Sequence, residues 1–148
     1  MKSRTKARGI ALQALYEIDL TGHQPSQVIE ERLIETPMDQ ELAEFSRQIT
    51  YGVLSLVEPL DAFISQHASE WPLDQVAVID RNILRIALWE FAVQGITPIK
   101  VAINEAIELA KMYGSDSTPR FVNGVLGSLA ARQNEIRQTF GSVRKIGA

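Results

Sequence analysis

Two places in this 148-residue chain carry the residue types that hold a polyanion. Arg120 and Phe121 follow Thr118-Pro119, a pair suited to the N-cap and first residue of a helix. A helix start leaves backbone N–H groups unpaired at the positive end of the dipole, which favours phosphate, and an aromatic ring beside it offers a base a stacking face. The second place is the first eight residues, where Lys2, Arg4, Lys6 and Arg8 occur without an acid. On a helix, Arg4 and Arg8 share one edge beside Leu15, whereas Lys2 and Lys6 fall on nearly the opposite side. Cations in a first turn oppose the macrodipole at a small local cost, which asks for another reason. RNA binding and plain solubility both supply one.

Other chemistries find little support. There is no cysteine, which removes disulfides, thiolate nucleophiles and cysteine metal ligands. His23 and His67 lie far apart with no H-x-x-x-H pair, so no metal site is expected. No G-x-S-x-G elbow or P-loop occurs, and Glu105 and Glu108 fit a solvated helix face better than acid–base catalysis. No catalytic residue and no cofactor are expected. Within D-R-N-I-L-R-I-A-L-W-E at 80–90, Arg85 reads as a structural tie to a carboxylate such as Glu105 or Glu90, and the role of Arg81 stays open. Asn104 and Asn123 suit caps or cross-links, and Gly124 and Gly127 suit close helix contacts.

Nearly every segment carries the 3.6-residue period, and no strand alternation is sustained. The fold class is therefore all-α, with about seven helices in two packed groups: an N-terminal three-helix bundle crossed by a C-terminal helical group. The first helix spans about 4–20, with Ala7, Ala11, Ala14 and Ile18 in one arc. Ser26 caps a second helix to about 35, and Asp39 caps a third through Leu42, Phe45, Ile49 and Val53. A shorter helix over 59–68 ends before a break at Trp71-Pro72. The stretch 76–93 is apolar nearly all round and reads as a central buried helix. Two more follow: Ile103, Ala106, Ile107 and Ala110 make one apolar face, and the last helix opens at Thr118 and fades past Ile136. Residues 139–148 are expected to be a loose tail of a single domain spanning 1–148.

A composition of 45% hydrophobic and 22% charged residues fits a globular domain with a real core. The net charge of −3 conceals a division: four positive charges at the start, a surplus of ten acids over 17–74, and a surplus of three cations from 75 onward. One basic face could hold nucleic acid while the acidic middle meets a basic partner. No apolar run approaches the roughly 18 residues of a membrane span, and the basic, polar start does not read as a secretory signal. A cytoplasmic protein without a membrane partner is expected.

Four segments together resemble the NusB family of bacterial transcription antitermination factors: A-R-G-I-A-L-Q-A-L-Y at 7–16, D-R-N-I-L-R-I-A-L-W-E at 80–90, V-A-I-N-E-A-I-E-L-A-K at 101–111 and F-V-N-G-V-L at 121–126. They occur in order and cover nearly the whole chain. The resemblance implies a protein that binds the boxA segment of nascent RNA together with the small-subunit ribosomal protein NusE and joins the RNA polymerase antitermination complex, for efficient transcription of ribosomal RNA genes. It implies RNA contacts from Arg4, Lys6 and Arg8 at the first helix, where Thr5 departs from the family's arginine-rich run, and from Arg120 and Phe121 at the last. Asp116 lies near a loop acid that takes part in some members. NusE is expected on the fourth to sixth helices, with 60–74 part of that contact. Two rivals stand beside this reading. One is a helical module like the N-terminal domain of ribosomal RNA cytosine methyltransferases, against which the length of this sequence argues, since it holds no Rossmann-like domain. The other is a protein–protein adaptor or a homodimer.

Overall fold

The computed structural model describes residues 2–68 and 72–147, with side chains described through residue 141. Among these residues there is no strand, and eight α-helices form: α1 (Ser3–Thr21), α2 (Pro25–Glu35), α3 (Gln40–Ser55), α4 (Val57–His67), α5 (Val78–Leu88), α6 (Ile99–Tyr113), α7 (Thr118–Ala130) and α8 (Gln133–Gly147). A 3-10 turn, Leu73–Gln75, precedes α5, and a π-helical segment, Trp89–Gln94, continues it. The wider turn is visible in the bond from Gly95 N–H to the Glu90 carbonyl at 3.0 Å. No helix is long and apolar enough to cross a membrane among the described residues.

The all-helical expectation holds, with one helix more than seven. The chain turns at 131–132, where Arg132 N–H bonds the Leu129 carbonyl at 3.0 Å, and starts again as α8. Ile136 and Phe140 are four residues apart and share a face, so continuing the helix puts both into the core at 0% exposure. Phe140 packs on Phe63 with ring centroids 5.7 Å apart. The loose tail expected at 139–148 is therefore helical through Gly147, and Ala148 lies outside the described residues. The second helix starts at Pro25 rather than behind Ser26, because proline fits the first turn, where its missing N–H has no partner to lose. Of the break expected at Trp71-Pro72, Trp71 lies outside the described residues and Pro72 precedes the 3-10 turn.

Two apolar clusters share α1. Ile10 and Ala14 meet Val28, Ile29 and Leu33 of α2, while Ala7, Ala11, Leu12 and Leu15 face the larger core built on α5. Every residue from 82 to 93 is buried, so this strut is enclosed on all sides. Its arginine is tied as the sequence predicts, though by other carboxylates. Arg85 Nε and Nη2 fork onto Asp61 at 2.7 Å each, and Nη1 reaches Asp19 at 2.8 Å. Burial pulls the Arg85 guanidinium down, and the Asp61 and Asp19 carboxylates more than restore it, leaving it raised. Arg81 donates to the Leu73 carbonyl at 3.2 Å and lies 4.0 Å from Asp19, so it ties the 3-10 turn to the strut.

Small residues permit two close approaches. A Cβ on Gly52 would come within 2.3 Å of Trp89 Nε1, and one on Gly9 within 2.7 Å of the Tyr113 hydroxyl. Gly124 and Gly127, expected at such contacts, instead face open space, and Asn104 and Asn123 are exposed. At the α6–α7 turn, buried Thr118 accepts from Ser115 N–H and donates to Asp80, both at 2.9 Å. Burial pushes the Asp80 carboxyl above its ordinary value, with the Thr118 hydroxyl opposing.

Gly52→Ala overpacks the α3–strut crossing and should lower stability by about 1–3 kcal/mol, whereas Gly124→Ala should raise it by about 0.5–1 kcal/mol, both read from urea midpoints. Asp80→Asn should raise the melting temperature at pH 7. A carboxyl raised in the folded state costs stability once ionised, so the gain should vanish as the pH falls below the unfolded value of about 3.9.

Candidate nucleic-acid interface

The basic start of α1 divides over three faces. Lys2 and Lys6 are exposed. Lys2 and Thr5 line one side of a groove of about 750 Å³ whose other wall is α6, with Glu105, Glu108, Lys111 and Met112. The two helices run in the same direction here: Thr5 Oγ1 donates to Glu105 at 2.7 Å, and two turns on Gln13 Nε2 donates to the Tyr113 hydroxyl at 3.1 Å. Arg4 is also exposed but leans the other way, with its guanidinium 4.4 Å from the centroid of Phe45 in a hollow shared with Glu41 and Glu44 of α3.

Arg8 points inward and is 4% exposed. Its Nε and Nη2 fork onto the Glu90 carboxylate at 2.8 Å each, and Nη1 lies 3.4 Å from Glu105. Glu90, itself 1% exposed, takes a further bond from Thr97 Oγ1 at 3.1 Å. The two carboxylates that the sequence offers to Arg85 thus belong to Arg8. Sequence reasoning missed this, although the signal was present: Arg8, Leu12 and Leu15 share one arc at i, i+4 and i+7, and both leucines are buried.

At the second helix start, α7 opens within one residue of the expected place, with proline in its first turn, but Ser117 is the N-cap and Thr118, expected to cap, is the first helical residue and turns its hydroxyl to Asp80 instead. Arg120 is exposed and makes no ion pair among the described residues. Phe121 is half-buried and forms one wall of a hollow of about 450 Å³ with Val76, Ala77, Asp80 and Ser117. Its ring packs partly against the larger core. Asp80, which also lines this hollow, was not anticipated; it lies 41 residues from Phe121 in sequence, and the packing of α5 on α7 and the Thr118 bond bring it there. Asp116 sits exposed in the preceding turn.

The structure therefore brings Lys2 to the α6 groove, leaves Lys6 exposed, keeps Arg120 and Phe121 together at the α7 start, leans Arg4 toward α3 and turns Arg8 inward. Cations and a half-open ring at helix starts can hold phosphates and stack a base. Of the two histidines, exposed His23 pairs with half-buried Glu17 at 3.0 Å, and His67 contacts Ser128 and Arg132, its pKa lowered first by burial and then by the Arg132 charge.

Comparison with known proteins agrees with this architecture. The NusB family model matches residues 5–131. The transcription antitermination protein NusB of Dehalococcoides mccartyi is 51% identical over 128 residues, covering 86% of this chain and 90% of that protein. Among solved structures, T. maritima NusB is 33% identical with a TM-score of 0.77, covering 91% of this chain and 90% of that one. A chain from the crystal structure of antitermination factors NusB and NusE in complex with double-stranded RNA has the same fold, at 24% identity and a TM-score of 0.79, covering 94% of this chain and 98% of that one. With the family model spanning nearly all of α1 to α7 and a relative half identical over 86% of this chain, the chain belongs to the NusB family of transcription antitermination proteins.

Proposed function

We propose that this protein is a non-enzymatic, cytoplasmic antitermination factor that binds boxA-type single-stranded RNA together with ribosomal protein NusE, within the RNA polymerase complex that transcribes ribosomal RNA genes. The observation that carries the reading is the pair of exposed cationic helix starts, at α1 and α7, in a chain of this family. Lys6 and Arg120 contact phosphates, Arg4 contributes from the edge nearer α3, and Phe121 stacks on a base beside Asp80. Arg8 serves the same surface from inside. NusE docks on α4 to α6, where the acidic stretch ahead of α5 meets a basic protein.

The test is an anisotropy titration of labelled boxA RNA and a scrambled strand, with the protein alone and with NusE added, and with double-stranded RNA as a further arm. Preference for boxA, strengthened by NusE, is expected; equal binding to every RNA in both conditions would sink the reading. Phe121→Ala should weaken boxA binding by about 1–3 kcal/mol with helicity unchanged by circular dichroism. Lys6→Ala should flatten the log–log salt dependence by about 0.7 for a single strand.

A further inference from the structure

We propose that Arg8 is a positioning residue for the RNA surface: a buried guanidinium that fixes the basic first turns of α1 and neutralises two carboxylates lying beneath them. The proposal rests on the RNA-binding reading above and assigns Arg8 no phosphate.

Its geometry leaves the guanidinium nothing to offer a ligand. Nε and Nη2 are both held by Glu90, Nη1 faces Glu105, and the group lies over the Phe45 ring at 5.3 Å from its centroid. A phosphate reaching Arg8 would have to displace a bidentate carboxylate from a site that is 4% exposed on one partner and 1% on the other. The side chain instead joins three elements. The first turns of α1 are fixed to the π segment through Glu90 and to α6 through Glu105, which also accepts from Thr5. Glu90 is further held by Thr97, ahead of α6.

Charge gives the second half of the argument. Glu90 and Glu105 stand behind a surface read as an acceptor of phosphate, and Arg8 is the cation that faces both among the described residues. Thr5 and Thr97 supply hydrogen bonds without charge. Without Arg8, Glu90 is left buried with no cation and Glu105 faces the groove beside Lys2 unneutralised, and the helix start loses its tie to the strut. RNA affinity then falls although no phosphate contact has been removed.

Two replacements separate this role from direct contact. Arg8→Met leaves Glu90 buried and unpaired, and it should lower RNA affinity. Arg8→Met combined with Glu90→Met and Glu105→Gln replaces the buried ion pair by apolar atoms and leaves neither carboxylate charged, an exchange of a kind that proteins often tolerate, and it should return the boxA affinity to within about threefold of wild type with the salt slope unchanged. Because the triple variant keeps no unpaired charge at either position, it decides the matter even where the single one fails to fold. A loss greater than about threefold in the folded triple variant, or a slope flattened by about 0.7, would overturn the proposal and make Arg8 a phosphate ligand. Wild-type protein that binds neither boxA nor scrambled RNA, with or without NusE, overturns the functional reading as well, whereas a weak triple variant beside a tight wild type overturns this inference alone.

Discussion

The constraint on which the structure turns is the complete enclosure of residues 82–93, most of α5 and of its π-helical continuation. From residue 82 to residue 93 no side chain is left to water, yet the stretch contains Arg85 and Glu90. An ion buried alone costs far more than folding can spare, so each must be met by an opposite charge carried in from another element. Arg85 draws Asp61 from α4 and Asp19 from near the end of α1, and Glu90 draws Arg8 from the beginning of α1. One helix thus supplies a charge to each end of the strut, acid to base and base to acid, and this polarity sets α1 antiparallel to it. Removing one partner of such a pair typically costs about 3–5 kcal/mol, while replacing both by apolar residues is often neutral. The pairs therefore act on orientation and register more than on net stability.

The same strut places both cationic helix starts. Glu90, near its end, holds the first turns of α1 through Arg8, and Asp80, near its beginning, holds the first turn of α7 through Thr118. The two anchors are ten residues apart on one helical axis, about 15 Å at a helical rise. Between them runs α6, parallel to α1 and closed against it at Gly9, where only a residue without a side chain lets the Tyr113 hydroxyl approach. A surface assembled from loops would be free to vary; this one is referenced at two points to the most deeply buried element of the protein.

Much of this was legible in the sequence, and the gaps have physical causes. The helices, the all-round apolar character of 76–93 and the opening of α7 at Thr118-Pro119 follow from local period and proline chemistry, which act within a few residues. The partners of Arg85 did not follow, because Asp61 and Asp19 lie 24 and 66 positions away and nothing in local spacing selects them over Glu90 or Glu105. The helical tail was underread because two glycines and a basic pair outweighed the four-residue spacing of Ile136 and Phe140, whose burial decides the matter. Arg8 is the instructive case. Helical spacing sets it on one edge with Arg4, and that edge does exist, since both guanidinium groups lie over Phe45. What a charge count cannot register is that the edge dips inward along the helix, so that Arg4 remains in water while Arg8, one turn on, is enclosed.

The division of charge along the chain takes on a different meaning once its members are located. The surplus of acids over 17–74 is not a uniform acidic face: Asp19 and Asp61 neutralise Arg85 inside, Glu17 pairs with Arg32, and Glu30 pairs with Arg47, whose guanidinium holds its carboxyl below the ordinary value. Glu41 and Glu44 of α3 lie along the hollow that receives Arg4. A polyanion approaching α1 from the α3 side therefore meets carboxylates beside the one exposed arginine there. From the α6 side it meets Lys2 and, across the groove, Lys111, matched by Glu105 and Glu108, the latter 3.6 Å from Lys111. The α6 side is therefore balanced where the α3 side carries a surplus of acid, and electrostatics disfavours approach to α1 from α3.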